Sequence, residues 1–154
     1  MLCQMIVTFC GHNDVANPDD VRRWLEHTVG DLIQRGATTF YLGGYGGFDR
    51  LAASVLHNIS ASNPSVESIL VLPYLNREAE DDLYDGTIYP PLENVPKRLA
   101  IIKRNEWMVD HADVIVAYVL HDWGGASAML QYAIRKGKEV IRHPEISCDG
   151  SRGK

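Results

Sequence analysis

The sequence lacks most of the features that would assign it to a class of protein by inspection alone. Its three cysteines, Cys3, Cys10 and Cys148, are an odd number with no CxxC spacing, which argues against a disulfide framework. No apolar run approaches the roughly 20 residues that a membrane-spanning helix needs. There is no internal repeat and no low-complexity segment. We therefore expect a cytoplasmic protein with reduced thiols and no membrane partner.

Two familiar phosphate-binding motifs are also missing. The sequence contains no GxxxxGK[ST], which excludes a P-loop ATPase or GTPase. Residues 44–49 start like GxGxxG but place Asp49 where the third glycine belongs, so the usual dinucleotide fingerprint fails. The net charge of −5 at pH 7 argues against nucleic acid as the main partner. Any nucleotide site must therefore be built differently.

What the sequence does contain is an alternation of strand and helix patterns. The 154 residues, 45% hydrophobic and 23% charged, suffice for one domain with a buried core. Apolar, β-prone runs end at residues 10, 42, 72, 120 and 142, and helical patterns separate them. This alternation predicts an α/β, Rossmann-like three-layer sandwich, with a five-stranded, mainly parallel sheet of order 3-2-1-4-5 and helices on both faces. We expect a single domain over residues 1–144 and a polar tail over residues 145–154.

One connection is unusually long for such a domain. Residues 74–96 are polar and acidic, carry three tyrosines and are interrupted by Gly86 and by three prolines. Connections of this length are usually functional or disordered. The segment is predicted to be a long loop, which is either a lid over a ligand or merely a solvent-exposed loop.

Two glycine-rich segments each follow a predicted strand and precede a predicted helix. Glycine lets a ligand approach backbone amides closely, and a helix start offers unpaired N–H groups at the positive end of the dipole. In the predicted strand order, the loops after the first, second and fourth strands meet in one crevice. The candidate ligand-binding residues there are Gly11, His12, Asn13, Gly43, Gly44, Tyr45, Gly46, Gly47, Phe48, Asp49, Trp123, Gly124, Gly125 and Ala126.

Each of these candidates also has a purely structural interpretation. The first glycine segment is either a ligand-binding loop or a tight turn, and Asp49 is either a helix cap or an acceptor for a ribose hydroxyl. His12 and its neighbours form either an Asx-type turn or part of the site. His12, Asp14, His121 and Asp122 lack any recognised metal-ligand spacing. No metal and no cofactor is therefore predicted.

Four motifs, taken in order, resemble the SLOG superfamily. They are GHND at residues 11–14, GGFD at 46–49, RNEWM at 104–108 and WGGA at 123–126. This Rossmann-like group includes DNA-processing protein A, the Lonely Guy phosphoribohydrolases and the YpsA-like proteins, and the chain looks most like single-domain YpsA-like members over nearly its whole length. The resemblance implies a nucleotide-type ligand across the two glycine loops, with Arg104 and Asn105 as further contacts. It also implies a homodimer or a larger homo-oligomer.

The first function that this resemblance implies is binding, as sensing or sequestration, of a nucleotide such as an ADP-ribose or NAD-related species. Amides of the two glycine loops would hold phosphate, and Arg104 would neutralise its charge. Asn13 and Asp49 would bond the ribose, and Trp123 or Tyr45 would stack on the base.

Two alternatives follow from other members of the superfamily. The first is hydrolysis of an N-glycosidic bond, with Arg104 positioning the substrate and Asp14, Asp49 or Asp122 acting as acid or base. Arg104 and Met108 match the Lonely Guy arginine–methionine element, but no carboxylate follows the second glycine loop, where those enzymes carry a glutamate. The second alternative is the handling of single-stranded DNA, against which the acidic charge argues.

Overall fold

The computed structural model describes residues 4–75 and 83–144, and in it a parallel sheet lies between two layers of helices. The strands are β1 (Met5–Gly11), β2 (Ala37–Leu42), β3 (Glu67–Val71), β4 (Gly86–Ile88), β5 (Val114–Tyr118) and β6 (Glu139–Arg142). The helices are α1 (Pro18–Gln34), α2 (Gly47–Ser60), α3 (Ala100–His111) and α4 (Gly125–Arg135), and a short 3₁₀ turn, Lys97–Leu99, leads into α3. No helix in the described ranges is long and apolar enough to cross a bilayer.

The sheet corrects the predicted strand count and order. It has six strands in the order β4-β3-β2-β1-β5-β6, and every neighbouring pair is parallel. The prediction of five strands in the order 3-2-1-4-5 missed β4, which adds to the free edge of β3. This three-residue strand lies inside the segment that was predicted to be a long loop. The Asp85 carboxylate anchors its start by accepting the Ser68 N–H at 2.8 Å.

The predicted lid falls partly outside the described residues, and the predicted tail falls wholly outside them. Residues 76–82 belong to the segment that was predicted to be a lid or a solvated excursion, and residues 145–154 form the predicted tail. Both interpretations, and the single-domain assignment over residues 1–144, stay predictions.

Two apolar clusters hold the helices against the two faces of the sheet. Alternate side chains of β1 point to opposite faces, so Val7 and Phe9 join the cluster under α1 and α2, whereas Cys10 joins the cluster under α3 and α4. The strand is thus buried on both sides, which explains its nearly continuous apolar sequence.

The central strands end together at one edge of the sheet. In the register between β1 and β5, Gly11 lies opposite Tyr118, and β2 pairs with the other side of β1. The chain leaves β1 toward one side of the sheet and later returns to its other side as β5. This is the kind of reversal point where open α/β sheets bind ligands. The loops after β1, β2 and β5 meet there.

Candidate functional site

The two helices that follow the glycine loops begin with nearly the same backbone geometry. Gly46 precedes α2 with φ 92° and ψ 166°, and Gly124 precedes α4 with φ 93° and ψ 177°. Neither helix start has a side-chain cap. Positive φ of this size is readily adopted only by glycine, which explains these two positions. The two helix starts differ, however, in whether groups of the protein accept hydrogen bonds from their amides.

The start of α2 is occupied by the protein's own carbonyl groups. The Gly47 N–H donates to the Asn13 carbonyl at 2.9 Å, and the Phe48 N–H donates to the His12 carbonyl at 3.2 Å. A Cβ on Gly47 would lie 2.3 Å from the Asn13 carbonyl oxygen, so glycine is needed for this close contact. The loop after β1 is therefore docked onto α2. Its carbonyls accept hydrogen bonds from amides that would otherwise be available to a bound anion.

Another amide of the first glycine loop donates to Asp49. Its Oδ2 accepts the Gly43 N–H at 3.2 Å, and the amides of Gly44 and Tyr45 also act on the carboxylate to lower its pKa. Asp49 is only 8% exposed. Burial raises the pKa of this carboxyl to about 6, although the Arg104 charge and the three amides act to lower it. Asp49 thus supplies an internal anion where the sequence predicted a bound phosphate.

Arg104 connects α3 to the carboxyl ends of two strands. It is 2% exposed, and its Nη1 donates to the carbonyls of Gly43 and Val71, each at 2.9 Å, while its Nε donates to Asn105 Oδ1 at 2.9 Å. Its guanidinium carbon lies 5.3 Å from the centre of the Tyr45 ring. Burial lowers the Arg104 pKa, and the nearby Asp49 carboxylate opposes that shift. Nη2 makes no hydrogen bond to the described residues.

The start of α4, in contrast, is open. The amides of Gly125, Ala126 and Ser127 donate to no acceptor among the residues that the structure describes. A Cβ on Gly125 would meet nothing within 4 Å, and its φ is not positive. Neither packing nor backbone conformation therefore requires glycine at this position. Its absent side chain leaves room beside three free donors.

A cavity of about 150 Å³ lies between the two helix starts. Its polar wall is formed by Arg104, Asn105 and Asp49, and Tyr45 lies at its rim. The remaining lining residues are Phe9, Cys10, Gly11, Ile101, Met108, Gly125, Ala126 and Met129. Pockets for drug-sized ligands are about 300–1,000 Å³, so this cavity suits a single small group such as a phosphoryl group.

Cys10 forms part of the cavity floor but is not poised as a nucleophile. Its thiol donates to the Ala126 carbonyl at 3.0 Å. Burial raises the pKa of the thiol far above its ordinary value, and nucleophilic attack requires the thiolate. The thiol therefore has a structural role, since it ties β1 to the first turn of α4.

Three stacked rings connect the loop after β1 to the loop after β5. The His12 and His121 rings are 3.8 Å apart, and the His121 and Trp123 rings are also 3.8 Å apart. His12 Nε2 accepts the Leu120 N–H at 2.8 Å, which places the proton of a neutral His12 ring on Nδ1. Burial and the neighbouring His121 lower the His12 pKa. Trp123 ends the stack and is 68% exposed.

The structure places some of the residues predicted from the sequence at the cavity and others away from it. Those that line the cavity are Gly11, Tyr45, Asp49, Arg104, Asn105, Gly125 and Ala126. Phe48 lies instead in the core under α2, and Asp14 is exposed and lines none of this cavity. In the described ranges, no three His, Cys, Asp or Glu side chains are grouped to hold a metal ion.

Sequence reasoning missed Ile101 and Met129 as cavity residues. Ile101 shares a face of α3 with Arg104, Asn105 and Met108 at helical spacing, so the arginine could have identified it. Met129 lies one turn after Gly125, and the same spacing argument applies to α4. Neither residue carries a chemical motif of its own.

Comparisons with known proteins support the fold. No protein-family model matches the sequence, and no curated protein sequence matches it. The structure is similar to TM1055, a structural genomics target, with 17% identity and a TM-score of 0.61 over 89% of this chain and 72% of that one. It is also similar to the molybdenum cofactor carrier protein of Chlamydomonas reinhardtii, with 17% identity and a TM-score of 0.59 over 94% and 80%.

A third similar structure is that of a DNA-binding protein. It is DNA processing protein A of Helicobacter pylori, which binds single-stranded DNA, with 15% identity and a TM-score of 0.58 over 90% of this chain. The chain spans 64% of the length of that protein. Identities this low show a shared fold alone. The chain therefore shares a Rossmann-like α/β fold with these structures.

Proposed function

We propose that the protein binds a phosphate-bearing small molecule of the nucleotide type between the starts of α2 and α4. The observation that carries this proposal is the open start of α4 beside a cavity with a buried arginine on its wall. The amides of Gly125 and Ala126 donate to no acceptor in the described part of the chain, and they lie at the positive end of a helix. Arg104 adds a guanidinium, whose planar donors match phosphate oxygens. This combination is typical of phosphate sites.

The two glycine loops have different roles in this site. The amides of the second loop donate to the phosphoryl group, whereas the first loop is a wall whose Gly43 amide donates to Asp49. Arg104 bonds to the Gly43 carbonyl and lines the cavity, so it connects the two loops. Gly125 is the most informative residue, because no packing contact with the described residues accounts for its missing side chain.

The rest of the ligand extends beyond the small cavity. Tyr45 and Trp123 are both largely exposed and lie on the loops that flank it. An aromatic ring of the ligand stacked on either side chain would gain about 1–3 kcal/mol. A base-bearing nucleotide, such as an ADP-ribose or NAD-related species, fits this arrangement. The names of two proteins of the same fold, a cofactor carrier and a DNA-binding protein, support a ligand-binding role without selecting one ligand.

One observation favours a second candidate function, hydrolysis of an N-glycosidic bond. Asp49 lines the cavity beside Arg104, and burial raises its pKa to about 6. A carboxyl group with a pKa near neutrality is suited to general acid catalysis. Of the three carboxylates considered from the sequence, Asp14 and Asp122 do not line this cavity, so Asp49 would be the acid.

The decisive experiment combines binding with product analysis. The protein is incubated with AMP, NAD, ADP-ribose and cyclic ADP-ribose, and both the thermal shift and the chromatographic products are recorded. Binding without product supports the binder, and release of a free base supports the hydrolase. Retention of single-stranded DNA alone would contradict both.

A matched pair of alanine variants locates the site. Gly125→Ala puts a methyl group beside the open amides and should weaken binding about tenfold or more, which corresponds to at least 1.4 kcal/mol. Gly30→Ala is the control, because a Cβ there also meets nothing within 4 Å but lies on α1. Equal affinity of Gly125→Ala and the wild type would remove the α4 start from the site.

A further inference from the structure

The stack of three rings joins two loops that are held with different firmness. The loop after β1 is anchored, because the His12 N–H donates to the Tyr118 carbonyl at 3.3 Å and the His12 carbonyl accepts the Phe48 N–H at 3.2 Å. Residues 120–123, in the loop after β5, make a single hydrogen bond to the rest of the described chain, from the Leu120 N–H to His12 Nε2 at 2.8 Å. The hydrogen-bonding tether of this loop is therefore a titratable ring.

That tether exists only while the His12 ring is neutral. A neutral imidazole has one acceptor nitrogen, and an imidazolium has none. Protonation of Nε2 would therefore set two N–H donors against each other and leave the partly buried Leu120 amide without an acceptor, which is costly. His121 differs, since its Nδ1 lies 3.0 Å from the Trp123 carbonyl. Nδ1 must carry a proton to make that bond, and the bond persists when the ring is charged.

The surroundings of His12 make the closed arrangement hold fewer protons than an open one. Burial and His121, whose ring centre lies 3.8 Å away, lower the His12 pKa below its ordinary 6.5, and Asp14 opposes them. When residues 120–123 move away, both lowering influences weaken, so the open state binds a proton more readily. As the pH falls below 6.5, acid therefore favours the open state. The other titratable groups on the elements around His12 are Asp49 on α2, Tyr118 on β5, Asp122 beside His121, and His143 after β6.

The same loop leads directly into the open start of α4. Gly124 is the residue before that helix, and a Cβ built on it would lie 4.0 Å from His121 Cε1. Movement of the stacked rings would therefore change the approach to the first turn of α4. We propose that His12 and residues 120–123 form a pH-sensitive latch, which is closed at neutral pH and released in mild acid. The latch lies beside the proposed phosphate site but does not depend on a bound ligand.

Hydrogen exchange of the Leu120 amide, followed by NMR, tests the latch in the unliganded protein. The protection factor removes the intrinsic effect of pH on exchange. For Leu120 it should fall about tenfold from about pH 7.5 to about pH 5.5, as expected if the His12 pKa differs by about one unit between the closed and open states. The amide of Leu25, in the core under α1, reports global unfolding and should not lose protection over this range.

Three histidine variants identify the group responsible. His12→Gln replaces the ring with a side chain that does not titrate, so the pH dependence of Leu120 protection should disappear. His121→Phe keeps a stacked ring but removes the neighbouring charge that lowers the His12 pKa, so Leu120 should lose protection at a higher pH than in the wild type. His57→Gln changes an exposed histidine on α2 and should keep the wild-type response.

Several results would overturn the latch. One is a Leu120 protection factor that does not change with pH in the wild type, and another is a wild-type pH dependence that survives in His12→Gln. A parallel loss of protection at Leu120 and Leu25 would mean global unfolding instead of a local release. Because no ligand is added, failure of the latch in these measurements leaves the proposed phosphate site standing.

Discussion

At the scale of single residues, the buried carboxylate of Asp49 should make the stability of the fold depend on pH. Its carboxylate accepts the Gly43 amide and lies near the Arg104 charge, yet burial dominates and raises its pKa to about 6. Between its ordinary value of 3.8 and about 6, the folded protein holds a proton that the unfolded chain has released. The folded state therefore binds more protons in this window, and the free energy of unfolding falls as pH rises through it.

Asp49→Asn should remove this pH dependence. A shift of about two pKa units corresponds to about 3 kcal/mol, so the wild type should lose about that much stability relative to the variant between about pH 4 and about pH 7. Urea denaturation at a series of pH values measures the difference. Asp19→Asn, which changes an exposed carboxylate at the start of α1, is the control. Parallel pH profiles for the wild type and Asp49→Asn would show that Asp49 titrates normally.

At the scale of secondary-structure elements, the two helix starts look alike in sequence but differ in structure. Both follow a strand through glycines, and the sequence predicted a ligand site at each. Only the structure shows that the carbonyls of His12 and Asn13 occupy the start of α2 and leave that of α4 open. Glycines that accommodate a close internal contact and glycines that leave space for a ligand have the same sequence pattern. Distant packing, which the local sequence does not encode, distinguishes them.

Alanine substitutions should separate the two helix starts. Gly47→Ala would place a Cβ 2.3 Å from the Asn13 carbonyl oxygen, so backbone must move, at a cost of about 1–3 kcal/mol. Gly125→Ala meets nothing and should change stability by less than about 1 kcal/mol, with a gain expected because alanine favours helix. Urea denaturation gives both values. Equal tolerance of the two substitutions would mean that the loop after β1 is not docked on α2 in solution.

Most of the helices and strands were predictable from the sequence, and the exception is β4. Long apolar runs identified five strands because a strand buried on both faces must be apolar along its length. β4 has only three residues, Gly86–Ile88, and lies at the sheet edge, where neither burial nor alternation marks the sequence. Its position depends on the Asp85 contact to Ser68 across the chain. Likewise, sequence motifs pointed to the loop glycines and Arg104 as candidates, whereas the docking of the loop after β1 onto α2 is visible only in the three-dimensional packing.

At the scale of the whole molecule, the two faces of the sheet contribute unequally to the site. The cluster under α1 and α2 lies away from the cavity for most of its length, whereas the cluster under α3 and α4 includes Met108 and Met129, which line the cavity wall. The net charge of −5 gives an anion no long-range attraction. Affinity must therefore come from local geometry, which depends on how the α3 and α4 face is packed.

Two core substitutions test this division. Leu25→Ala under α1 and Met108→Ala under α3 remove side chains that are 0% and 1% exposed, and each should lower the free energy of unfolding by about 2–5 kcal/mol. Phosphate affinity, measured where both variants remain folded, should stay at the wild-type value for Leu25→Ala. It should fall about fivefold or more for Met108→Ala, because the loss of Met108 loosens the α3 face that positions Arg104. Equal affinities in the two variants would show that the site does not depend on the packing of that face.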